Sequence, residues 1–132
     1  MSRVQLALNV GDLAASIEFY GALFGSRPHK VRPGYANFEI ADPPLKLVLI
    51  ESPDSGTLNH LGVEVADTAA VREATSRLSA EGLATQVEDA TVCCYARQDK
   101  VWVHDPAGTP WEFYTITDDD PVATVGAGCC SG

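Results

Sequence analysis

Positive charge is scarce in this sequence. Nine Lys and Arg stand against eighteen Asp and Glu, giving a formal net charge of −9 and a pI near 4.5. Such a chain repels phosphate backbones and anionic lipid, which removes nucleic acid and membrane surfaces as expected partners and leaves a small molecule or a metal. Long apolar runs are missing too. No segment approaches the length of a membrane span, and no basic stretch followed by an apolar signal core opens the chain, so the expected location is cytoplasmic. Separated cysteines are also absent: the four present stand as two adjacent pairs, Cys93-Cys94 and Cys129-Cys130. Neighbours bridge only under strain, because their Cα atoms lie ~3.8 Å apart where disulfides prefer roughly 5.5 to 6 Å. Paired thiols in a reducing compartment point instead to soft-metal chemistry.

What is present suits one ordinary domain. The chain has 132 residues, 45% of them hydrophobic and 20% charged, a globular composition with enough length to bury a core without metal or disulfide support. Its clearest internal feature is a repeat. Sliding the stretch 5–15 forward by 55 positions lays Gln5 on His60 and gives five identities without a gap: Leu6 on Leu61, Val10 on Val65, Asp12 on Asp67, Ala14 on Ala69 and Ala15 on Ala70. One shift that accounts for all five indicates two copies of a supersecondary unit.

The local signals agree. Residues 4–10 alternate as a strand, Asp12 is a good N-cap, and Leu13, Ile17, Tyr20, Leu23 and Phe24 follow at helical spacing until Gly25. A short strand at residues 29–31 and longer ones at 35–40 and 45–50 complete a βαβββ unit. The pattern restarts at His60, with a strand over residues 60–65, a helix capped by Asp67 that presents Val71, Ala74 and Leu78 on one face and ends at Gly82, and strands at 85–88, 100–104 and 111–117. The expected organisation is an α+β domain over residues 1–121, with module one at 1–51, a polar linker at 52–59 and module two at 60–121. Residues 122–132, rich in Gly and Ala, are expected to be a mobile tail carrying Cys129 and Cys130.

The chemistry-bearing residues fall into two groups. Gln5 and His60 occupy symmetric strand positions and Glu112 sits on the last strand, so period-2 alternation can aim all three at one place. His29 and His104 hold no symmetric position and are read as structural. The other group is Thr91-Val92-Cys93-Cys94-Tyr95-Ala96. Two adjacent thiols can together hold a thiophilic centre such as trivalent arsenic or cadmium. In a regular strand their side chains would diverge, so Cys93 and Cys94 must lie in a bend for both sulfurs to reach one atom. The alternative is that they are two small buried hydrophobes.

The duplicated start, together with Asp105-Pro-Ala-Gly-Thr-Pro-Trp-Glu112-Phe-Tyr114, resembles the vicinal oxygen chelate superfamily of glyoxalases, bleomycin-resistance proteins and extradiol dioxygenases. That resemblance implies a cupped mixed sheet built from two tandem βαβββ modules, with a metal held by Gln5, His60 and Glu112. A fourth, glyoxalase-type carboxylate would come from near Lys46 or Leu47, and none is there. The runs Tyr35-Ala-Asn-Phe38, Pro43-Pro-Leu-Lys-Leu-Val-Leu49, Asn59-His-Leu-Gly-Val-Glu-Val65, Cys93-Cys-Tyr95 and Gln98-Asp-Lys-Val-Trp-Val103 are similar to the ArsI/CadI family of organoarsenical carbon–arsenic lyases and cadmium-induced proteins. This implies an Fe(II)-dependent dioxygenase acting with dioxygen on trivalent organoarsenicals, with Cys93 and Cys94 holding the arsenic, and it makes a homodimer plausible. The rival expectation is a protein that sequesters Cd(II) or arsenite through its thiols without catalysis. A metal-free drug-binding cup would give the cysteines no role.

Overall fold

Asp12 and Asp67, equivalent in the repeat, cap equivalent helices in the computed structural model, which describes residues 2–121. Asp12 Oδ1 accepts from the Ala15 N–H at 3.0 Å, and Asp67 Oδ1 accepts from the Ala70 N–H at 2.9 Å. Each satisfies one of the donors that a helix start leaves bare. The chain runs β1 (Arg3–Val10), α1 (Leu13–Phe24), β2 (Lys30–Arg32), β3 (Tyr35–Ile40), β4 (Leu45–Glu51), β5 (Thr57–Glu64), α2 (Thr68–Ala80), β6 (Gln86–Cys93), β7 (Ala96–His104) and β8 (Pro110–Asp118). This is the βαβββ order twice. No helix among the described residues is long and apolar enough to cross a membrane.

All eight strands form one mixed sheet in the order β2-β3-β4-β1-β5-β8-β7-β6. β1 and β5 pair antiparallel at its centre with Leu6 opposite Leu61, the very residues that the repeat superposes. The two modules are therefore related by a local twofold between these strands. β1–β4 and β5–β8 are parallel pairs. Alternation divides the sheet into two faces. Leu6, Leu8 and Val10 of β1 pack with Leu45, Leu47 and Leu49 of β4 and with Leu13, Ile17, Tyr20 and Phe24 of α1. Val101, Val103 and Phe113 pack with Val71 and Leu78 of α2. Both helices thus cover the outer face.

The opposite face carries Gln5, Lys46, His60, Gln98, Lys100 and Glu112, all buried. It is closed because the two ends of the sheet meet across it. The Lys30 ammonium donates to the Tyr95 carbonyl at 2.9 Å, the Tyr95 hydroxyl donates to the Pro33 carbonyl at 3.0 Å, and the Tyr35 and Tyr95 rings lie 5.7 Å apart. One chain therefore forms a whole cup.

Several boundaries differ from the sequence reading by one residue, and β7 starts four residues early, at Ala96 instead of residue 100. β5 starts at Thr57, inside the segment read as a linker over 52–59. β2 starts one residue late, at Lys30. β6 continues to Cys93 instead of ending at residue 88, because its ladder with β7 slips between Glu88 and Thr91 and resumes. Ala90 takes φ 51° there, and its N–H bonds to Asp99 Oδ1 at 2.7 Å. Such a bulge breaks the alternation on which a sequence-based strand assignment depends. The tail at 122–132, with Cys129 and Cys130, lies outside the described residues.

Candidate metal and thiol site

Gln5 pairs with Gly62, and Gly62 with Glu112, so β1, β5 and β8 place these three residues in one row across the sheet. His60 lies two residues from Gly62 along β5 and so faces the same way. Having no side chain, Gly62 lets its neighbours lean over it. Gln5 Nε2 donates to Glu112 Oε2 at 2.6 Å and stands 3.2 Å from His60 Nε2, which is itself 2.9 Å from Glu112 Oε2. The three candidate ligands therefore converge on one point. A Cβ on residue 62 would meet Glu112 Cγ at 2.8 Å and the Glu112 carbonyl oxygen at 2.9 Å. We expect Gly62→Ala to fold but to lose metal affinity tenfold or more, with some 1–3 kcal/mol of destabilisation from overpacking. Iron titration and thermal melting check both parts.

The orientation of His60 comes from a residue that the sequence reading did not single out. β1 and β5 slip in register between Ala7 and Leu8, which pair with His60 and Leu58 and leave Asn59 as the extra residue of a bulge. Its Oδ1 lies 2.7 Å from His60 Nδ1, while its Nδ2 donates to Asn9 Oδ1 at 3.0 Å. An amide oxygen only accepts, so Nδ1 carries a proton and Nε2 is the ring nitrogen that points at the triad. Nε2 and Glu112 Oε2 stand 2.9 Å apart, a separation at which the two share a proton or can both ligate one divalent cation.

Glu112 is prepared for the same role. Burial alone would raise its pKa, but the charge of Lys100, together with the His60 hydrogen bond and charge, outweighs burial and lowers it to about 2. Lys100 Nζ lies 2.8 Å from Oε1 as an ion pair, yet Oε1 receives no directed hydrogen bond. The group offers an ionised carboxylate with an unfilled lone pair. Half a turn of the Gln5 amide would exchange Nε2 for Oε1 and complete a neutral-amide, imidazole and carboxylate donor set. This set fits a divalent metal of the N/O-preferring kind. Among the described residues no cluster of three His, Cys, Asp or Glu side chains could hold a metal, so the site stands on two such residues and an amide.

Cys93 and Cys94 lie at a tight hairpin. Cys93 pairs with Ala96, leaving Cys94 and Tyr95 as the two-residue turn, both left-handed at φ 53° and 62°. This is the backbone hand that matches strand twist, although Asn-Gly is its usual sequence. Tyr95 is held there by the Lys30 and Pro33 bonds already described. The turn rotates Cys94 out of strand alternation and brings the two sulfurs to 3.7 Å, as a shared ligand requires. Both cysteines are disulfide-bonded in this structure. The thiol pair read from the sequence is therefore the reduced state of these residues.

A cavity of about 20 Å³ joins the two groups, with Gln5, Glu112 and Cys94 in its wall and Lys46, Gln98 and Tyr114 beside them. The larger outer cleft of about 630 Å³, between α1 and residues 55–58, contains none of the five candidate residues. Sequence reasoning missed Asn59, Lys100, Lys46 and Tyr114. Lys100 was detectable as a residue two positions from Gln98 and two from Trp102, on one face of its strand. His29, read as structural, bonds Asp119 at 2.8 Å, outside the triad.

Comparison with known proteins agrees with this architecture. The pattern of the Glyoxalase/Bleomycin resistance protein/Dioxygenase superfamily matches residues 3–113. The chain is 60% identical to a trivalent organoarsenical cleaving enzyme of Thermomonospora curvata, over 99% of this chain and 89% of that one. It is 58% identical to the cadmium-induced protein CadI of Mycobacterium bovis, over 97% and 84%. Among solved structures, the 2,3-dioxygenase LapB from Pseudomonas sp. KL28 shares the fold with a TM-score of 0.68 at 22% identity, over 92% of this chain and 43% of that one.

Proposed function

Because this chain belongs to the glyoxalase/bleomycin resistance protein/dioxygenase superfamily, we propose that the converging triad holds Fe(II) in an enzyme that cleaves the carbon–arsenic bond of trivalent organoarsenicals. The observation that carries this reading is the convergence of Gln5, His60 and Glu112 within 3.2 Å of one another, in a site whose cavity also touches Cys94. The relative named as an organoarsenical cleaving enzyme, at 60% identity over nearly the whole chain, supports the substrate class.

Each residue has a distinct task. Glu112 supplies the single negative charge, His60 a neutral nitrogen whose direction Asn59 fixes, and Gln5 a weaker neutral oxygen. When bound, iron supplies the binding and activation of dioxygen. Reduced Cys93 and Cys94 bind arsenic through sulfur and present its carbon substituent to the triad, so their share of the catalysis is positioning. Lys100 balances the Glu112 charge, and the aromatic seal of Tyr35 and Tyr95 excludes water.

The relative named CadI favours a second reading, in which the thiols sequester Cd(II) or arsenite and nothing is turned over. Incubating reduced, iron-loaded protein with methylarsenite under air and under argon separates the two. The enzyme releases inorganic arsenite only under air. Tight retention of methylarsenite without product under both atmospheres identifies the sequestering protein.

A further inference from the structure

Besides Glu112 Oε1, the cavity beside the triad is lined by three buried polar atoms that no group among the described residues satisfies. Lys46 Nζ, Tyr114 OH and Asn37 Oδ1 have no hydrogen-bond partner, and their residues are 2%, 2% and 3% exposed and all line the cavity. Lys46 lies beside Gln5 in the β1–β4 ladder. Among the described residues the carboxylate within 4 Å of it is Glu39, 3.6 Å away, with Glu64 acting at longer range, and the Glu39 carboxylate also serves Arg3 at 3.2 Å and His29 at 3.6 Å. Asn37 spends its amide N–H on the Tyr35 hydroxyl at 2.9 Å, which leaves Oδ1 as a bare acceptor. Unsatisfied buried groups cost on the order of 1–3 kcal/mol each, more for a charge, so three around one cavity indicate a missing occupant.

The chemistry of the three atoms restricts that occupant. Lys46 only donates, Asn37 Oδ1 only accepts, and Tyr114 does either. A ligand that satisfies all three is an oxygen carrying its own proton. Dioxygen has no proton for Asn37, and an alkyl group satisfies none of them. The volume of about 20 Å³ admits one such oxygen, since a water needs ≳ 10–15 Å³. Cys94 lines the same cavity, and a trivalent organoarsenical in water is a dihydroxy acid, R–As(OH)₂.

Resting on the arsenical reading above, we propose that Lys46, Asn37 and Tyr114 form a hydroxyl site that receives an As–OH of the incoming substrate during its capture by the cysteines. In that step the thiol of reduced Cys94 attacks arsenic, an S–As bond forms, one As–O bond breaks, and the thiol proton leaves with the hydroxide as water. No atom changes oxidation state. Lys46 and Tyr114 donate to the departing oxygen and Asn37 accepts its proton. The site holds the substrate by its leaving group and afterwards retains one water.

The test uses metal-free, reduced, full-length protein under argon, in which capture occurs and cleavage does not. Stopped-flow tryptophan fluorescence follows methylarsenite binding; Trp102 lies on the cavity side, 5.3 Å from the His60 ring. N-ethylmaleimide, which adds to the same thiols without releasing an oxygen, is the control. Lys46→Met and Tyr114→Phe are each expected to slow methylarsenite capture about tenfold or more and to leave maleimide addition within twofold of the unmodified protein. If Lys46→Met does not fold, Tyr114→Phe, which removes only one oxygen atom, decides the matter. Unchanged methylarsenite capture in Tyr114→Phe, or equal slowing of both reagents, overturns the hydroxyl site and reduces the cavity to a place for a structural water. Failure of the unmodified, reduced protein to capture methylarsenite at all is a different result, because it overturns the arsenical reading itself.

Discussion

Glu112→Gln yields a folded protein that contains no iron, turns over no arsenical and melts below the unmodified protein. The carboxylate is the only anion of the triad, and it is buried beside Lys100 Nζ at 2.8 Å, both residues being 3% exposed at the side chain. Neutralising it leaves an ammonium in the interior without its counter-charge, and breaking one partner of a buried pair costs roughly 3–5 kcal/mol. Elemental analysis of anaerobically purified protein and a thermal melt read the two effects. The acid limb of stability adds a further signature in the metal-free protein. The pKa of Glu112 is depressed from 4.5 to about 2 on folding, so its contribution is complete above the unfolded value and is lost as pH falls from about 4.5 towards 2. Glu112→Gln removes that dependence, and the stabilities of the two proteins therefore converge as pH falls through this window. Full iron content in Glu112→Gln would show that the carboxylate does not bind the metal.

Cys94→Ser separates the two halves of the site in the other direction. Iron content stays normal, because no triad contact involves the turn, while turnover of methylarsenite falls by about a thousandfold or more. Serine keeps the size of the side chain but replaces a soft sulfur with a hard oxygen that has little affinity for trivalent arsenic. Losing one of two anchors removes the orientation that makes the reaction intramolecular, a factor that can reach several orders of magnitude. The residue lies at φ 53° in the hairpin turn, and serine inherits that backbone without new clashes. Steady-state assays under air, paired with iron analysis of the same sample, measure the split. Normal turnover by Cys94→Ser would remove the cysteine clamp from the mechanism.

Much of this was legible in the residues because the gene-level repeat survives as chemistry. Leu6 and Leu61 superpose in the sequence and face each other in the sheet, and Asp12 and Asp67 each cap a helix through the alanine three residues on. The convergence of Gln5, His60 and Glu112 follows from strand alternation once the strands are placed. Their supporting residues do not follow. Asn59 reaches His60 through a bulge, and a bulge depends on pairing between distant strands. Cys94 and Tyr95 carry none of the residues that announce a left-handed turn, and they adopt one because the Lys30 and Pro33 contacts from the opposite module hold it. Gly62 reads as an ordinary weak point in a strand until Glu112 is seen lying over it. Lys46 sits near the place a glyoxalase-type fourth carboxylate would occupy, and its ammonium becomes informative only when the cavity shows it unmatched.

The claim on which all of this depends is that arsenic held by Cys94 stands next to iron held by Gln5, His60 and Glu112. Nitric oxide binds ferrous iron and gives a paramagnetic complex whose electron paramagnetic resonance spectrum reports the iron's immediate surroundings. The measurement is that spectrum for reduced, Fe(II)-loaded protein under argon, with and without methylarsenite. The account predicts a changed line shape on adding the arsenical to the unmodified protein and no change in Cys94→Ser. An identical spectrum with and without bound methylarsenite would place the arsenic away from the iron and contradict it.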